Sequence, residues 1–338
     1  MNDYNENIDN IINNLTGTKE ENINYLNEQM LNISKSENAP VVFEELADKI
    51  MNGYNFENRT SLQKAVSKYK EDIENDIYNT REFMNKEEYS KAKENIEEII
   101  EKSKLFSYEK ENEVKYYFND SIELLYTIFV NKRREIDKKI KWATVPLALP
   151  YNWLSYIAIN EEEYDKSIKY CDIGIKYNPM EISLYSEKAE SYNRKNEYDK
   201  SLKVLDEAYD IIFSRKAMGE YFKCLGHIKS CLEEYETAFA CYLVSLYYRF
   251  DSLVYRRLGN LRNDIFKDLK YTLTTKEVMD ILRKNNIRFK PKKENLELMN
   301  NLIHTDRCIK LYPQEIEIIK NEYEFFLADM TPVENFFK

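Results

Sequence analysis

The sequence predicts an all-α protein whose central part is an α-solenoid of stacked helical hairpins. Three tyrosines, Tyr164, Tyr198 and Tyr235, stand near the start of similar phrases: EYDKSIKYCDIGI, EYDKSLKVLDEAY and EYETAFACYLVSL. The first two phrases lie 34 residues apart, which is a period typical of arrays of helix pairs. The chain also has only 6 Gly and 7 Pro among 338 residues, which is few for the tight turns of a sandwich or barrel.

Residues 1–85 predict an N-terminal helical region. Thr18 followed by Glu21 forms a capping box at the start of an amphipathic helix. Pro40 suits the first turn of the next helix and Gly53 suits its end. A third helical stretch is predicted over about residues 60–84.

Residues 86–147 predict a degenerate helical hairpin and an irregular insertion. The phrase EEYSKAKENIEEII has Tyr89 and Ala92 in the positions of the repeat, but Ile99 stands where a small residue belongs. Tyr89 lies 75 residues before Tyr164, which is not a multiple of 34. About residues 105–146 are therefore expected to be an insertion that carries a helix near residues 120–132.

Residues 148–262 predict the repeats, in units of about 148–181, 182–218 and 219–252, with a capping helix that ends at 262. Small residues recur at fixed offsets in the three units. Helices approach to about 8 to 10 Å only where the contact residues are small, so these positions mark where the helices meet. They are Ser155, Ser167 and Gly174, then Ala189, Ser201 and Ala208, then Gly226, Ala238 and Ser245.

This pattern resembles the tetratricopeptide repeat, which pairs large and small residues along its first helix and closes with a proline. Leu154 with Ser155, and Leu225 with Gly226, match the large-then-small pair, and Pro179 matches the closing proline. The resemblance covers about residues 148–260. It implies a right-handed solenoid that binds through its concave side, and it implies no particular pathway.

The chain departs from the family pattern at several positions. Lys188 stands where a large apolar residue is expected, and Lys229 replaces an aromatic residue. Phe213 and Phe250 replace the closing proline. Three extra residues also lengthen the spacing between the second and third units.

Residues 263–338 predict a C-terminal helical extension. Thr275 is the expected cap of one short helix, and Pro291 is the expected start of the next. Four aromatic residues near the end are expected to cap the solenoid, because end repeats need covering; contact with a second copy of the chain is the alternative, so a homo-oligomer stays open. These residues are Phe325, Phe326, Phe336 and Phe337.

The family resemblance also nominates partner-binding residues. Because the first helix of each hairpin lines the concave side in this family, the candidates are seven residues on those helices. Some family members clamp a terminal carboxylate with a lysine and an asparagine, but Asn152 and Tyr156 stand in those two places, so this clamp is not expected. The candidates are Asn152, Tyr156, Glu190, Asn193, Arg194, Lys223 and His227.

Catalysis and cofactor binding are not expected. A phosphate cradle needs clustered glycines, whereas the glycines here are scattered singly. Only His227 and His304 are present to act as histidine bases, and no motif of the kind that surrounds a nucleophile accompanies them. Neighbouring carboxylates, such as those of Glu161 and Glu162, fall in a predicted turn and are interpreted as solvated.

A metal site is not expected either. Cys224, His227 and Cys231 share one helical face, but the two cysteines lie about 10.5 Å apart along the helix axis. Two thiolates on one zinc ion lie at most about 4.6 Å apart. Five cysteines without CxxC spacing fit a reducing compartment, and Cys171 and Cys241 are expected in the core.

The remaining composition bears on location. The start, MNDYNENIDNIINN, lacks the pattern of a secretory signal. The uncharged stretch 142–159 is interrupted by Pro146 and Pro150, so an entry loop and a buried helix are expected rather than a membrane span. A cytoplasmic protein is predicted. Abundant Asn, Ile, Lys and Tyr indicates the coding bias of an A/T-rich bacterium, so asparagine clusters are not interpreted as sites.

These observations favour a non-enzymatic scaffold or adaptor that binds a protein or peptide on the concave face of the repeats. One alternative is a peptide-sensing regulator whose N-terminal helical region is the effector. A second alternative is a nucleic-acid-associated protein that uses the basic segment 249–293, although the net charge is −10. Lysines along a solvated helix explain that segment more simply, so nucleic acid is not the expected partner.

Overall fold

The computed structural model describes the backbone of residues 2–53 and 55–330, and the side chains of residues 7–53 and 55–330. The chain is 74% helical, with 17 α-helices packed in neighbouring pairs in the part that is described. The all-α prediction is confirmed. Two compact units are present; the first comprises Met1–Tyr117, Lys138–Ile157 and Lys176–Asn178, and the second comprises Phe118–Asp137, Ala158–Ile175 and Pro179–Lys338. The four-segment division predicted from sequence pattern stays a prediction.

The first unit begins with helices whose ends follow the predicted signals. Thr18 caps α2 through its side chain, and Glu21 bonds back to it, which completes the capping box. Pro40 lies in the first turn of α3, and Gly53 ends that helix. The helices are α1 (Asn2–Asn13), α2 (Lys19–Ser34), α3 (Ala39–Asn52), α4 (Phe56–Asn85) and α5 (Tyr89–Ser103), followed by a 3-10 turn, Lys104–Phe106.

Two short strands in the first unit were not predicted. Strand β1 (Glu113–Tyr116) pairs in parallel with β2 (Lys139–Trp142), and Val114 lies opposite Ile140. Each strand is four residues long, and each carries one β-branched residue between charged neighbours. Such a short alternation is too weak a pattern to separate a strand from a loop.

The second unit contains the remaining helices, and two helices contribute residues to both units. Helices α7 (Ala148–Asn160) and α8 (Tyr164–Tyr177) are divided after Ile157 and Ile175. The others are α6 (Ser121–Arg133), α9 (Ile182–Arg194), α10 (Tyr198–Tyr209), α11 (Arg215–Cys231), α12 (Tyr235–Tyr248), α13 (Ser252–Asn260), α14 (Thr275–Lys284), α15 (Lys293–Ile303), α16 (Asp306–Leu311) and α17 (Pro313–Leu327), with a π-helical turn, Leu261–Phe266, after α13.

The turn inside each helical hairpin has one recurring backbone geometry. The residue two positions before the tyrosine adopts a left-handed conformation, with φ between 58° and 62°. The next N–H bonds the carbonyl oxygen five residues earlier, which is the Schellman arrangement. The left-handed residues are Glu87, Glu162, Asn196 and Glu233. The hydrogen bonds, written from the N–H donor to the carbonyl acceptor and each 2.8 or 2.9 Å long, are Glu88 to Phe83, Glu163 to Ala158, Glu197 to Tyr192 and Glu234 to Lys229. The hairpin of α4 and α5 therefore shares its turn with the repeats.

The nine small residues predicted at helix contacts are all buried. A Cβ atom added to Gly226 would lie 2.7 Å from the ring of Tyr242, and one added to Gly174 would lie 2.7 Å from Leu184. The hydroxyl of Ser201 donates to the carbonyl oxygen of Ala189 at 2.6 Å, and this hydrogen bond connects α10 to α9. Close helix approach thus requires these positions to stay small.

The two lysines that break the family pattern take part in ion pairs. Lys188 on α9 lies 2.7 Å from Asp172 on α8, and Lys229 on α11 lies 2.9 Å from Glu234 in the following turn. Both lysine side chains are only 16% exposed. Their aliphatic stems fill the space of the expected apolar residues while their ammonium groups reach a carboxylate.

The C-terminal helices pack within the second unit. Phe325 and Phe326 of α17 contact Tyr247 and Tyr248 of α12, with ring centroids 5.2 and 5.9 Å apart. These two phenylalanines thus pack against α12, and their capping role stays a prediction. The other two aromatic residues named for that role, at 336 and 337, lie outside the described residues.

Two expected helix starts in the extension are corrected. The cap of α14 is Thr274, not Thr275, because only Thr274 has a glutamate, Glu277, at the third helical position to complete a capping box. Helix α15 begins at Lys293, two residues after Pro291.

The uncharged stretch 142–159 forms the end of β2, a loop and most of α7. No helix in the described part of the chain is long and apolar enough to cross a membrane.

Candidate binding face

The structure divides the seven candidate residues between the two units. Asn152 and Tyr156 lie on the part of α7 that belongs to the first unit. There the rings of Tyr156 and Tyr89 pack in an edge arrangement, with their centroids 6.3 Å apart. The other five lie on α9 and α11, which pack side by side in the second unit. We call the surface formed by these two first helices the α9–α11 face.

An ion-paired carboxylate lies at the centre of the α9–α11 face. Glu190 of α9 accepts hydrogen bonds from Arg194 Nε and from His227 Nδ1 of α11, each at 2.7 Å. Burial alone would raise the pKa of Glu190, but these two partners outweigh it and hold the pKa at about 2. Glu190 is therefore ionised, and it links the two helices.

Asn193 lies about one turn after Glu190 on α9 and contacts the end of α11. Its side chain is buried, and its amide nitrogen lies 3.5 Å from the sulfur of Cys231. The amide oxygen has no hydrogen-bond partner among the described residues. Asn193 thus positions neighbours and is not itself open to a partner.

Carboxylates outnumber cations on the rest of the face. Lys223 lies 2.6 Å from Glu220 and 3.6 Å from Asp251, and its side chain is 20% exposed. Glu187, one turn before Glu190, makes no side-chain hydrogen bond or ion pair among the described residues, although the charge of Lys223 acts on it. The face therefore presents one carboxylate that has no ion pair.

The site also perturbs the protonation of Glu187. Burial, together with the charges of Glu220 and Glu190, raises the pKa of Glu187 from 4.5 to about 7, and Lys223 offsets this only in part. A negative field of this kind attracts a cationic group. Sequence analysis missed Glu187 and Glu220, because it ranked positions by family register, although Glu187 lies one turn from Glu190 on the same helix.

Replacing Glu187 with glutamine is expected to stabilise the protein at high pH. The pKa in the folded state, about 7, lies above the ordinary value of 4.5. The wild-type free energy of unfolding therefore falls as pH rises between these values and is unaffected below them. Glu187→Gln removes this loss, so at about pH 8 it should raise the free energy of unfolding by up to roughly 3 kcal/mol.

Urea unfolding at several pH values measures this effect. Glu207→Gln is the matched control, because it makes the same chemical change at an exposed position on α10. If Glu187→Gln and Glu207→Gln have the same pH dependence, Glu187 does not titrate as inferred.

Two of the five cysteines are buried, two are half-buried and one, Cys231, is exposed. Cys171 and Cys241 are buried, as predicted. Burial raises the pKa of Cys224 to about 12, so this thiol stays protonated and is a poor metal ligand. In the described part of the chain, no group of three or more His, Cys, Asp or Glu residues is placed to hold a metal ion.

Several cations of the basic segment 249–293 make contacts within the second unit. Arg262 donates to the carbonyl oxygen of Tyr271 at 2.7 Å. Lys292 pairs with Asp210, and Arg288 lies over the ring of Tyr209. Lys292 and Arg288 thus connect the segment before α15 to the end of α10.

Neither a protein-family model, nor a curated protein, nor a solved structure matches this chain. The helix pairs are compatible with a helical repeat protein, and the residues of the α9–α11 face carry the functional proposal.

Proposed function

We propose that residues 148–262 are tetratricopeptide-like repeats in a right-handed solenoid, and that the chain is a non-enzymatic scaffold that binds a protein or peptide on the α9–α11 face. Repeat arrays of this kind expose the first helix of each hairpin along an extended surface. The observation that carries the proposal is the set of charged side chains shared by two successive first helices, with Glu187 left unpaired.

The charge of the face defines the chemistry of the partner. The face carries three carboxylates, those of Glu187, Glu190 and Glu220. Among the cations of the face, only Arg194 has a side chain that is more than half exposed, at 53%. A polypeptide segment that places a lysine or arginine beside Glu187 would form an ion pair with it. This pair would offset the repulsion of Glu187 by Glu190 and Glu220. The proposed ligand is therefore a polypeptide segment with a basic side chain.

Site-specific crosslinking tests where the partner binds. A photo-crosslinking amino acid, p-benzoylphenylalanine, is placed at position 194 on α9 or, as the matched control, at position 203 on α10. Both positions are exposed, but only Arg194 belongs to the face. We expect position 194 to crosslink a defined polypeptide in native lysate and position 203 to leave it untouched.

The crosslinked segment, identified by mass spectrometry and synthesised, is then titrated against the purified chain. Glu187→Gln should weaken binding by about tenfold, because a charge-assisted pair is lost, and Glu207→Gln should not. Equal crosslinking at both positions, or a segment without a basic residue that binds Glu187→Gln normally, would contradict the proposal. Lys223 is a poorer position for the crosslinker than Arg194, because its side chain is ion-paired with Glu220 and is only 20% exposed.

A further inference from the structure

Cys231 differs from the other cysteines in its surroundings. It ends α11 and is the exposed member of the five, all of which lie in the described residues. It stands one helical turn after His227, so the two side chains project from the same side of the helix. Cys308 is half-buried and serves as a comparison.

Polar side chains from α9 and α11 lie beside this thiol. The amide of Asn193 donates to the sulfur from α9 at 3.5 Å. His227 stands one turn before Cys231, and its Nδ1 lies 2.7 Å from Glu190 Oε2 and 3.4 Å from Asn193 Nδ2. An imidazole that is bonded to a carboxylate thus lies one helical turn from the thiol, with an amide donor beside the sulfur.

This arrangement favours the charged pair. Hydrogen bonding to His227 lowers the pKa of Cys231, against an opposing effect of burial. Burial alone would lower the pKa of His227, but the bonds to Cys231 and Glu190 raise it. A thiolate beside an imidazolium is the reactive form of cysteine.

The other charged and titratable groups around the pair come from three helices. Arg194 on α9 and Tyr242 on α12 interact with Cys231, and Arg257 on α13 opposes the protonation of His227. A cavity of about 260 Å³ opens beside His227, lined also by Ser230, the residue before Cys231. This cavity leaves room for a small group beside the imidazole of His227.

We propose that Cys231 is a thiol-modification site, activated by His227 and Glu190, that undergoes exchange with low-molecular-weight disulfides. The Cys231 thiolate attacks one sulfur of the disulfide, so a new S–S bond forms and the old one breaks. The Cys231 sulfur is oxidised and the released sulfur is reduced. The released thiolate takes the proton of the His227 imidazolium and leaves as a free thiol.

The test measures the rate of thiol exchange in the full chain with 4,4′-dithiodipyridine as the probe. Rates are assigned to individual cysteines by peptide mapping after a quench with acid. At about pH 6 we expect Cys231 to react at least about tenfold faster than Cys308, because the neighbours of Cys231 favour its thiolate. Oxidised glutathione, mapped in the same way, should modify Cys231 first.

Variants separate activation from simple exposure. Cys231→Ser should abolish the fast phase, and Cys308→Ser should leave it intact. His227→Gln and Glu190→Gln should slow Cys231 by about tenfold at about pH 6 and by much less at about pH 9, where an ordinary thiol is also ionised. The Cys308 rate in each variant reports whether the fold is kept.

The wild-type comparison needs no variant, so it stands even if a substitution prevents folding. The proposal is overturned if Cys231 and Cys308 react at similar rates at about pH 6. It is equally overturned if folded His227→Gln keeps the wild-type pH profile of Cys231, because exposure alone would then explain the reactivity.

Discussion

Gly226→Leu is expected to destabilise the protein by about 3 kcal/mol or more. The nearest atoms to a Cβ at this position are two ring carbons of Tyr242, both at 2.7 Å, and the carbonyl oxygen of Ala238 at 3.3 Å. Tyr242 is 1% exposed, so its ring is packed within the core and can move only if its neighbours also shift. Helices α11 and α12 must separate, and the packing of the third hairpin is lost with them.

Gly259→Leu is the matched control. Gly259 is exposed on α13, and a Cβ there meets nothing within 4 Å. Leucine has the higher helix propensity, so this change should be neutral or stabilise by up to about 1 kcal/mol. Urea unfolding followed by circular dichroism compares the two, and equal midpoints for both variants would show that α11 and α12 do not depend on this close approach.

Asn295→Ala is expected to cost about 2 to 4 kcal/mol. The side chain of Asn295 on α15 is fully buried. Its amide nitrogen donates to the carbonyl oxygens of Asp210 and Ile212 at 3.2 and 3.0 Å, and its oxygen accepts from Arg133 of α6 at 2.9 Å. Alanine leaves the Ile212 carbonyl and one nitrogen of the half-buried Arg133 guanidinium without these partners.

Asn301→Ala on the same helix provides the control, because Asn301 is exposed. It should change the free energy of unfolding by less than about 1 kcal/mol. Limited proteolysis of both variants adds a local measurement: Asn295→Ala should expose cleavage sites in residues 275–327 that Asn301→Ala leaves protected. Similar stability and cleavage in the two variants would contradict the anchoring role of Asn295.

The repeated helices could be predicted because their signals are local. Helices α8, α10 and α12 begin at Tyr164, Tyr198 and Tyr235, the residues that mark the repeated phrases. The predicted helix near residues 120–132 is α6, capped by Asp120. Small residues at fixed offsets also identified buried contacts, since packing two helices closely leaves few alternatives in sequence.

The hairpin turns could not be predicted from glycine placement. In the described residues every left-handed position is occupied by a residue other than glycine, such as Glu233 or Asn196. The fold accepts a cost of roughly 1 to 2 kcal/mol at each such position, and the surrounding hydrogen bonds maintain it. The positions of the glycines in the sequence therefore do not mark these turns.

Part of the candidate site was within reach of sequence analysis and part was not. The register of the first helices nominated Glu190 and His227, which the structure brings into a direct bond. The spacing along α11 also placed His227 and Cys231 on one helical face. It did not reveal that Glu187 lacks an ion pair, because pairing across α9 and α11 depends on tertiary packing.

The interleaving of the two units along the chain has a practical consequence for dissecting the protein. A break between residues 147 and 148 would leave residues 148–157 of one unit on the far fragment, and residues 118–137 of the other on the near fragment. Neither half would then carry a complete set of its own packing residues. Isolated fragments should be designed as circularly rearranged or internally spliced chains, rather than as simple truncations.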